Sequence, residues 1–291
     1  MTRPHPIVFF RQSLKSEAYY AYELINIYLL RPLAAGIVWL LYPTSVTPNQ
    51  VTIAAVVIGF VAAFTYTLNT PVAIAIAGVL VMLKDIVDDA DGQLARAKSL
   101  YSRRGRFLDS IGDFVVDVAV FAAITKVLYH TRPMVTTIVL GIVSLAGITL
   151  RVSYHVFYQV SFLHLESRYG LNRIVEDITE ADRHGDPVAL QLQKIFTMIY
   201  SWQDRLMNRL DCWCMGGTVD ENQFPIWYGD RFGLRLSGLL GFGTELTLLA
   251  VCSWFDALAL YILLNLFLMN GIWLLSMLYR RVVLRMNLSP R

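Results

Sequence analysis

Five aspartates recur at helical spacing in two neighbouring apolar segments of the sequence. Asp88 and Asp91 are three residues apart, and Asp109, Asp113 and Asp117 follow one another at intervals of four. Residues at these spacings share one face of a helix. Carboxylates within membrane helices are costly and are usually retained for function. The pattern therefore predicts two acidic helix faces with a chemical role.

Carboxylates that lie close together cannot all stay charged without a counter-charge. Hard oxygen ligands favour Mg²⁺, Mn²⁺ or Ca²⁺ over zinc, so the acidic faces predict a site for a divalent cation. Lys84, one turn before Asp88, is expected to balance part of the charge. Pairing with the loop arginines is the alternative to a metal, and the candidates are Arg96, Arg103, Arg104 and Arg106.

Small residues and arginines flank the aspartates. Gly92 and Ala95 remove side-chain bulk, so a ligand can approach the backbone closely. Arg96 offers a planar fork for phosphate oxygens, and Gly105 lies between two arginines. Phosphoryl transfer depends mainly on positioning and charge neutralisation. Metal ligands, an arginine and small residues together indicate a pyrophosphate site.

The composition places these residues in a membrane protein. Of the 291 residues, 56% are hydrophobic and 16% are charged, against roughly 25% charged in soluble domains. This excludes a disordered chain and an ordinary soluble enzyme, and the net charge of +3 is too small to indicate nucleic acid as a partner. Six segments are long and apolar enough to span a bilayer: about 49–68, 71–95, 107–129, 134–157, 234–254 and 257–278.

Basic residues set the expected orientation. The loop between the second and third predicted spans is strongly basic, whereas the turns at 69–70 and 130–133 carry little charge. By the positive-inside rule, this alternation predicts an integral, multi-pass protein with both termini and the acidic site facing the cytoplasm. Residues 17–41 are apolar but interrupted by Glu23 and Arg31. We expect an interfacial helix there, with a seventh span as the alternative.

The predicted fold class is an all-α membrane protein with six transmembrane helices, an N-terminal interfacial amphipathic helix and a cytoplasmic helical insertion. In the insertion, a helix is predicted to begin near Pro187, with an apolar stripe from Val188 to Leu206. It is expected to pack on the cytoplasmic face, and a lid over the site is the alternative. The predicted divisions are 1–46 (N-terminus and interfacial helix), 47–163 (spans one to four with the acidic motif), 164–232 (insertion) and 233–291 (spans five and six with the tail).

The acidic motif resembles the signature of a known family. The pattern Asp88-x-x-Asp91-Gly92-x-x-Ala95-Arg96, eight residues, Gly105-x-x-x-Asp109-x-x-x-Asp113 is similar to that of the CDP-alcohol phosphotransferases, or CDP-alcohol phosphatidyltransferases. The resemblance is firm over about residues 47–117. It implies that an alcohol attacks the β-phosphorus of a CDP-linked donor, that CMP leaves, and that the product belongs to phospholipid biosynthesis.

Carried over by position, the resemblance implies roles for single residues. Asp113 would be the catalytic base. The implied ligands of Mg²⁺ or Mn²⁺, as two ions, are Asp88, Asp91, Asp109 and Asp113. The implied CDP-binding residues are Gly92, Ala95, Arg96 and Gly105, with Asn49 at the start of the first span as a further candidate. The implied partners are a CDP-linked donor, an alcohol acceptor, membrane lipids and a second copy of the chain in a homodimer.

The substrates stay open at this point. We favour CDP-diacylglycerol as donor with a polar alcohol acceptor; the alternative is a soluble donor of the CDP-inositol, CDP-choline or CDP-ethanolamine type with a lipid or inositol-phosphate acceptor. Asp117 and the stretch 47–52 resemble the branch that includes archaeal inositol-phosphate-transferring enzymes. Arg151 is predicted either to hold an acceptor phosphate or to pair with Glu245. A cation or proton transporter and an inactive scaffold are more distant alternatives.

Overall fold

The computed structural model describes residues 19–166, 178–217 and 221–288, and every regular element in these ranges is helical. The first part of the predicted N-terminal region, residues 1–18, lies outside them. The helices are α1 (Asn26–Leu41), α2 (Pro48–Thr67), α3 (Pro71–Lys98), α4 (Arg103–Thr131), α5 (Val135–Leu165), α6 (Glu180–Arg183), α7 (Pro187–Met215), α8 (Phe224–Tyr228), α9 (Arg231–Gly238), α10 (Phe242–Trp254) and α11 (Leu258–Leu284).

Four of these segments are long and apolar enough to cross a membrane: α2, α5, the α9–α10 pair and α11. Helices α3 and α4 are also long, at 28 and 29 residues, but carry the acidic residues and are not among the four. The chain is therefore a multi-pass helical membrane protein. Helix α1 is shorter than the roughly 20 residues that a span needs.

Local caps set the ends of the helices that surround the acidic residues. Thr47 and Gln50 form a capping box at the start of α2, with Pro48 in the first turn. Helix α3 ends at Ser99, which adopts a left-handed conformation with φ of 55°. Helix α4 begins where the Ser102 hydroxyl accepts the Gly105 N–H at 2.9 Å. The connection between α3 and α4 is therefore short, and the two acidic faces are neighbours.

Helices α2 and α4 approach each other closely at two glycines. A Cβ atom added to Gly59 would lie 2.4 Å from Val116, and one added to Gly112 would lie 2.5 Å from Val56. Small residues permit such close backbone approach between membrane helices. Helix α3 packs against both α2 and α10. These contacts hold the acidic faces of α3 and α4 together, with the start of α2 beside them.

Helix α7 begins at Pro187, as predicted, and it packs on the protein through a face that holds both polar and apolar side chains. The buried side chains on α7 include Gln193, Gln203 and Asp211, whereas Ile195 and Trp202 of the predicted apolar stripe are exposed. The stripe is only partly exposed, because Leu206 packs against buried residues of the protein. The side of the membrane on which α7 lies stays a prediction. The buried face also holds Met207 and Cys214, which pack among apolar side chains. Its polar side chains have hydrogen-bond partners there, such as Asp211 with Tyr158 at 2.7 Å.

Candidate metal and phosphate site

Three of the predicted aspartates converge at the end of α3 and the start of α4. Asp88, Asp91 and Asp109 each offer one carboxylate oxygen, and these three atoms lie within 4.8 Å of one another. Oδ1 of Asp109 is buried and has no hydrogen-bond partner in the described structure. A buried acceptor without a partner, among other carboxylates, fits a divalent cation with hard oxygen ligands. These residues could therefore hold Mg²⁺ or Mn²⁺.

Asp113 lies beside this group and has a different neighbour. Its carboxylate accepts a hydrogen bond from the ammonium group of Lys84, whose Nζ is also 3.6 Å from Oδ2 of Asp88. Lys84 is only 1% exposed, so its charge depends on these partners. Lys84 thus balances part of the acidic charge, as the sequence predicted, and holds the Asp113 carboxylate in place.

Helix α2 contributes a hydroxyl group that the sequence analysis missed. The buried Thr52 donates its Oγ1 hydrogen to Oδ2 of Asp91. Such a contact orients the carboxylate of a metal ligand. The only available signal was the position of Thr52, one turn after Asn49 on the helix that opens the motif. Spacing alone could not tell which side of α2 faces Asp91.

The predicted CDP-binding residues lie along the same helix ends. Among the described residues, a Cβ atom at Gly92 would meet only the Arg96 guanidinium, at 3.5 Å, so the backbone there is open and Arg96 folds over it. Ala95 is one turn further along α3. A Cβ atom at Gly105 would lie 2.6 Å from Oδ1 of Asn49, which places Asn49 against the start of α4. The structure thus brings Asn49 of α2 and Gly105 of α4 together.

Two of the loop arginines pair with the insertion. Arg103 forms an ion pair with Asp182, and Arg104 forms one with Asp186. The neighbouring Arg104 guanidinium holds the pKa of Asp186 below its usual range. Arg104 therefore does not support the alternative in which the loop arginines neutralise the aspartates of the motif. These pairs fasten the start of α7 to the loop beside the site.

Helix α7 also covers the acidic face of α4. The Tyr200 hydroxyl donates to the carbonyl oxygen of Ser110 at 2.7 Å, and its ring packs against Phe114. Burial, together with the negative charges of Asp113 and Asp117, raises the pKa of Tyr200. Tyr200 therefore forms a wall of the acidic site, which the sequence analysis did not identify.

Arg151 occupies a separate, fully buried position. Its Nε donates to Oε1 of Glu245 at 2.8 Å, and its Nη1 donates to Oδ1 of Asn270 at 2.7 Å. Asn265 donates to the second Glu245 oxygen at 3.2 Å. Of the two roles predicted for Arg151, these contacts favour the pair with Glu245, which joins α5 to α10 and α11.

Fold and site together define a class: a multi-pass helical membrane protein with a carboxylate cluster suited to a divalent cation and an open, arginine-flanked backbone beside it. Residues 45–214 match the sequence profile of the family described as CDP-alcohol phosphatidyltransferase. This match covers more than half of the chain. The chain belongs to the CDP-alcohol phosphatidyltransferase family.

Several curated relatives match a shorter part of the chain. A bifunctional IPC transferase and DIPP synthase from Thermococcus kodakarensis is 42% identical over 72 residues, which is 25% of this chain and 16% of that protein. The protein of the same name from Archaeoglobus fulgidus is 37% identical over 84 residues, 29% of this chain and 16% of the relative. An archaetidylinositol phosphate synthase from Pyrococcus horikoshii is 34% identical over 79 residues, 27% of this chain and 40% of the relative. The matched segments thus span less than half of each relative.

Proposed function

We propose that the protein is a membrane CDP-alcohol phosphotransferase of phospholipid biosynthesis, an enzyme that moves a substituted phosphate from a CDP-linked donor to an alcohol and releases CMP. The observation that carries the proposal is the convergence of Asp88, Asp91 and Asp109 around an unpartnered, buried carboxylate oxygen. The open backbone at Gly92 lies on the same stretch of α3. Both features fall within the residues that match the family.

Asp88, Asp91 and Asp109, with Asp113 as a fourth ligand, would hold Mg²⁺ or Mn²⁺, and the family resemblance implies two ions. When bound, the ions neutralise phosphate charge and stabilise the negative charge that develops on oxygen. Thr52 keeps the Asp91 carboxylate oriented.

The remaining motif residues are proposed to bind the CDP part of the donor. Arg96 supplies a guanidinium for a phosphate oxygen, and Gly92 and Ala95 leave the backbone accessible. Gly105 and Asn49 meet at the other edge of the site, and we assign them to the same ligand.

Asp113 is proposed as the general base. It would take the proton of the acceptor hydroxyl as the alcohol oxygen bonds to the β-phosphorus and the bond from that phosphorus to the bridging oxygen of CMP breaks. Lys84 holds the Asp113 carboxylate in one orientation. A carboxylate at neutral pH is already deprotonated, so this role requires only reach to the hydroxyl group.

Two substrate pairs are proposed, and both use the same aspartates. The first pairs CDP-diacylglycerol with a polar alcohol, for which the name of the Pyrococcus relative suggests an inositol phosphate. The second pairs a soluble CDP-alcohol with a lipid or inositol-phosphate acceptor, and the matches to bifunctional IPC transferases and DIPP synthases favour it. We also propose that the site and both termini face the cytoplasm and that the chain forms a homodimer.

The deciding experiment measures CMP release by the purified protein with Mg²⁺ or Mn²⁺. CDP-diacylglycerol, CDP-inositol, CDP-choline and CDP-ethanolamine are each offered with inositol phosphate and with lipid acceptors. Release from CDP-diacylglycerol alone would support the first pair, and release from a soluble donor would support the second. Absence of CMP with every donor, in protein that binds Mn²⁺, would contradict the proposed reaction.

A further inference from the structure

Helix α7 crosses the ends of three long helices at a similar depth. Three contacts define this path: Tyr200 with Ser110 on α4, Gln203 with Ser153 on α5, and Cys214 with Met277 on α11. At 1.5 Å per residue, the partners lie about 10 Å from the start of α4 and about 27 and 28 Å from the starts of α5 and α11. A hydrocarbon core is about 30 Å thick. The contacts therefore place α7 along the boundary of the core, on the membrane face where α4 begins.

The face of α7 that packs on the protein is fully occupied by specific contacts. Besides Tyr158, the buried carboxylate of Asp211 accepts hydrogen bonds from Trp227 at 2.8 Å and Tyr228 at 2.7 Å. Gln203 accepts a hydrogen bond from Ser153. Rolling α7 to bury the exposed Val188, Ile195 and Trp202 would break these hydrogen bonds and leave buried polar groups unsatisfied.

Part of the apolar stripe of α7 is consequently left exposed among the residues that the structure describes. Val188, Ile195 and Trp202, spaced by seven residues, are 48%, 42% and 47% exposed. Met198 is 74% exposed, and Trp213 is 50% exposed with the Arg281 guanidinium stacked on its ring at 3.9 Å. Residues seven apart lie nearly on one line of a helix, so the stripe is continuous along most of its length. Tryptophan at such positions is typical of the lipid–water interface.

Basic side chains run beside the stripe. Lys194, Arg205 and Arg209 are all exposed, whereas the two acids of α7 are not, since Asp204 is partly buried and Asp211 fully buried. The exposed charges of α7 are therefore all cationic: Lys194 and Arg205 flank the stripe, and Arg209, seven residues after Trp202, continues its line. This charge complements the phosphates of anionic lipids.

We propose that α7 is an interfacial helix whose exposed stripe lies in the bilayer surface and whose Lys194, Arg205 and Arg209 bind the phosphate groups of anionic lipids. The inference does not depend on the transfer reaction. Tyr200 joins α7 to α4, which carries Asp109 and Asp113. The proposed position of α7 therefore also places one wall of the acidic site at the membrane surface.

Site-specific fluorescence tests the proposal in vesicles. Cys212 is exposed and lies toward the cationic side of α7, whereas Cys214 and Cys252 are buried, so bimane can be attached to Cys212 alone. A second sample carries bimane at position 202 in the variant Trp202→Cys/Cys212→Ser. Vesicles contain phosphatidylcholine and phosphatidylglycerol, with bromine on the acyl chains of one lipid or the other. We expect stronger quenching at position 202 than at position 212, and stronger quenching by brominated phosphatidylglycerol than by brominated phosphatidylcholine.

Charge variants test the lipid preference. Each basic residue near an anionic surface contributes roughly a fivefold preference. In the labelled background, Arg205→Gln/Arg209→Gln should therefore lose most of the preference for phosphatidylglycerol while keeping the quenching by phosphatidylcholine. The matched control Lys126→Gln/Arg132→Gln, at exposed residues near the opposite end of α4, should keep the preference.

Three results would overturn the proposal. Equal quenching at positions 202 and 212 would mean that the stripe is not in the bilayer. Weak quenching at 202 with a blue-shifted emission would mean that a protein, or a second copy of the chain, covers it. Equal quenching by brominated phosphatidylglycerol and brominated phosphatidylcholine, without the charge substitutions, would show that α7 does not select anionic headgroups.

Discussion

Two carboxylates at the centre of the site have different neighbours. Asp113 is paired with the ammonium of Lys84, whereas Asp109 keeps a buried oxygen with no hydrogen-bond partner in the described structure. Lys84 neutralises the first carboxylate, and we propose that a divalent cation neutralises the second. At the scale of single residues, variants at the site should therefore separate loss of chemistry from loss of metal.

Asp113→Asn should reduce CMP release by about 10²-fold or more while donor binding largely survives, because the amide cannot take the proton of the acceptor. Turnover and donor affinity are measured separately with the purified protein. Asp256→Asn is the matched control: this exposed residue has φ of 53°, a conformation that asparagine tolerates. Wild-type turnover in Asp113→Asn would show that another group is the base.

Thr52→Val should weaken Mn²⁺ binding by about tenfold, because Asp91 loses the hydroxyl that orients it. Titration followed by electron paramagnetic resonance measures free Mn²⁺ directly. Thr65→Val, near the other end of α2, removes a hydroxyl bonded only to the backbone of Val61 and should leave Mn²⁺ affinity unchanged. An equal loss of affinity in both variants would point to a general effect on α2.

At the scale of elements, one half-buried acid joins the N-terminal segment to α10. Oε2 of Glu23 accepts the backbone N–H of Thr244 at 3.0 Å, and a Cβ atom at Gly241 would lie 2.0 Å from Glu23. Burial raises the pKa of Glu23 from 4.5 to about 7. The glycine therefore makes room for a carboxyl group that the folded protein prefers to hold in its protonated form.

This contact predicts a stability that depends on pH. The unfolded chain releases the Glu23 proton near pH 4.5, and the folded chain releases it near pH 7. The stability that the protonated Glu23 contributes is therefore fully present below pH 4.5 and is lost as the pH rises from 4.5 to about 7. Thermal unfolding in detergent should show a loss of roughly 3 kcal/mol between pH 4.5 and 7. Glu23→Gln should remove most of this dependence, and Glu180→Gln, at an exposed residue, should not. The same pH profile in Glu23→Gln would contradict the assignment.

The pair of Arg151 and Glu245 predicts a second effect between elements. Removing one member leaves a buried charge without its partner, so Arg151→Leu should lower the free energy of unfolding by about 3–5 kcal/mol. Arg151→Leu/Glu245→Leu should recover much of that loss. A higher KM for the acceptor in Arg151→Leu, without loss of stability, would instead indicate that Arg151 holds the acceptor phosphate.

At the scale of the whole molecule, the proposed six-span topology places the loop between α4 and α5 on the membrane face opposite α7. A membrane-impermeant maleimide should therefore label Cys212 and an Arg132→Cys variant from opposite sides of sealed vesicles. The unmodified chain, in which Cys212 is the exposed cysteine, is the reference. Labelling of both positions from one side would contradict the six-span arrangement.

Local patterns predicted a large part of this molecule. The first span was predicted to begin at about residue 49, and α2 begins at Pro48. The start of α7 follows from Pro187 after Asp186, because helix-start signals depend on residues adjacent in sequence. The helices also run further than the predicted spans: α5 continues to Leu165. Apolar composition marks the hydrocarbon core, whereas backbone hydrogen bonds continue into the interface.

The sequence by itself determined which residue types lie on one helix face, because helical spacing is local. It therefore determined the acidic faces of α3 and α4, the apolar spans and the match to the family. The tertiary structure alone decided which groups meet: Thr52 with Asp91, Lys84 with Asp113, and Arg151 with Glu245. It also decided which face of α7 is buried, one that holds Gln203 and Asp211 together with Met207. Such contacts depend on how each helix is rotated against segments distant in the sequence, and residue spacing within one helix does not specify that rotation.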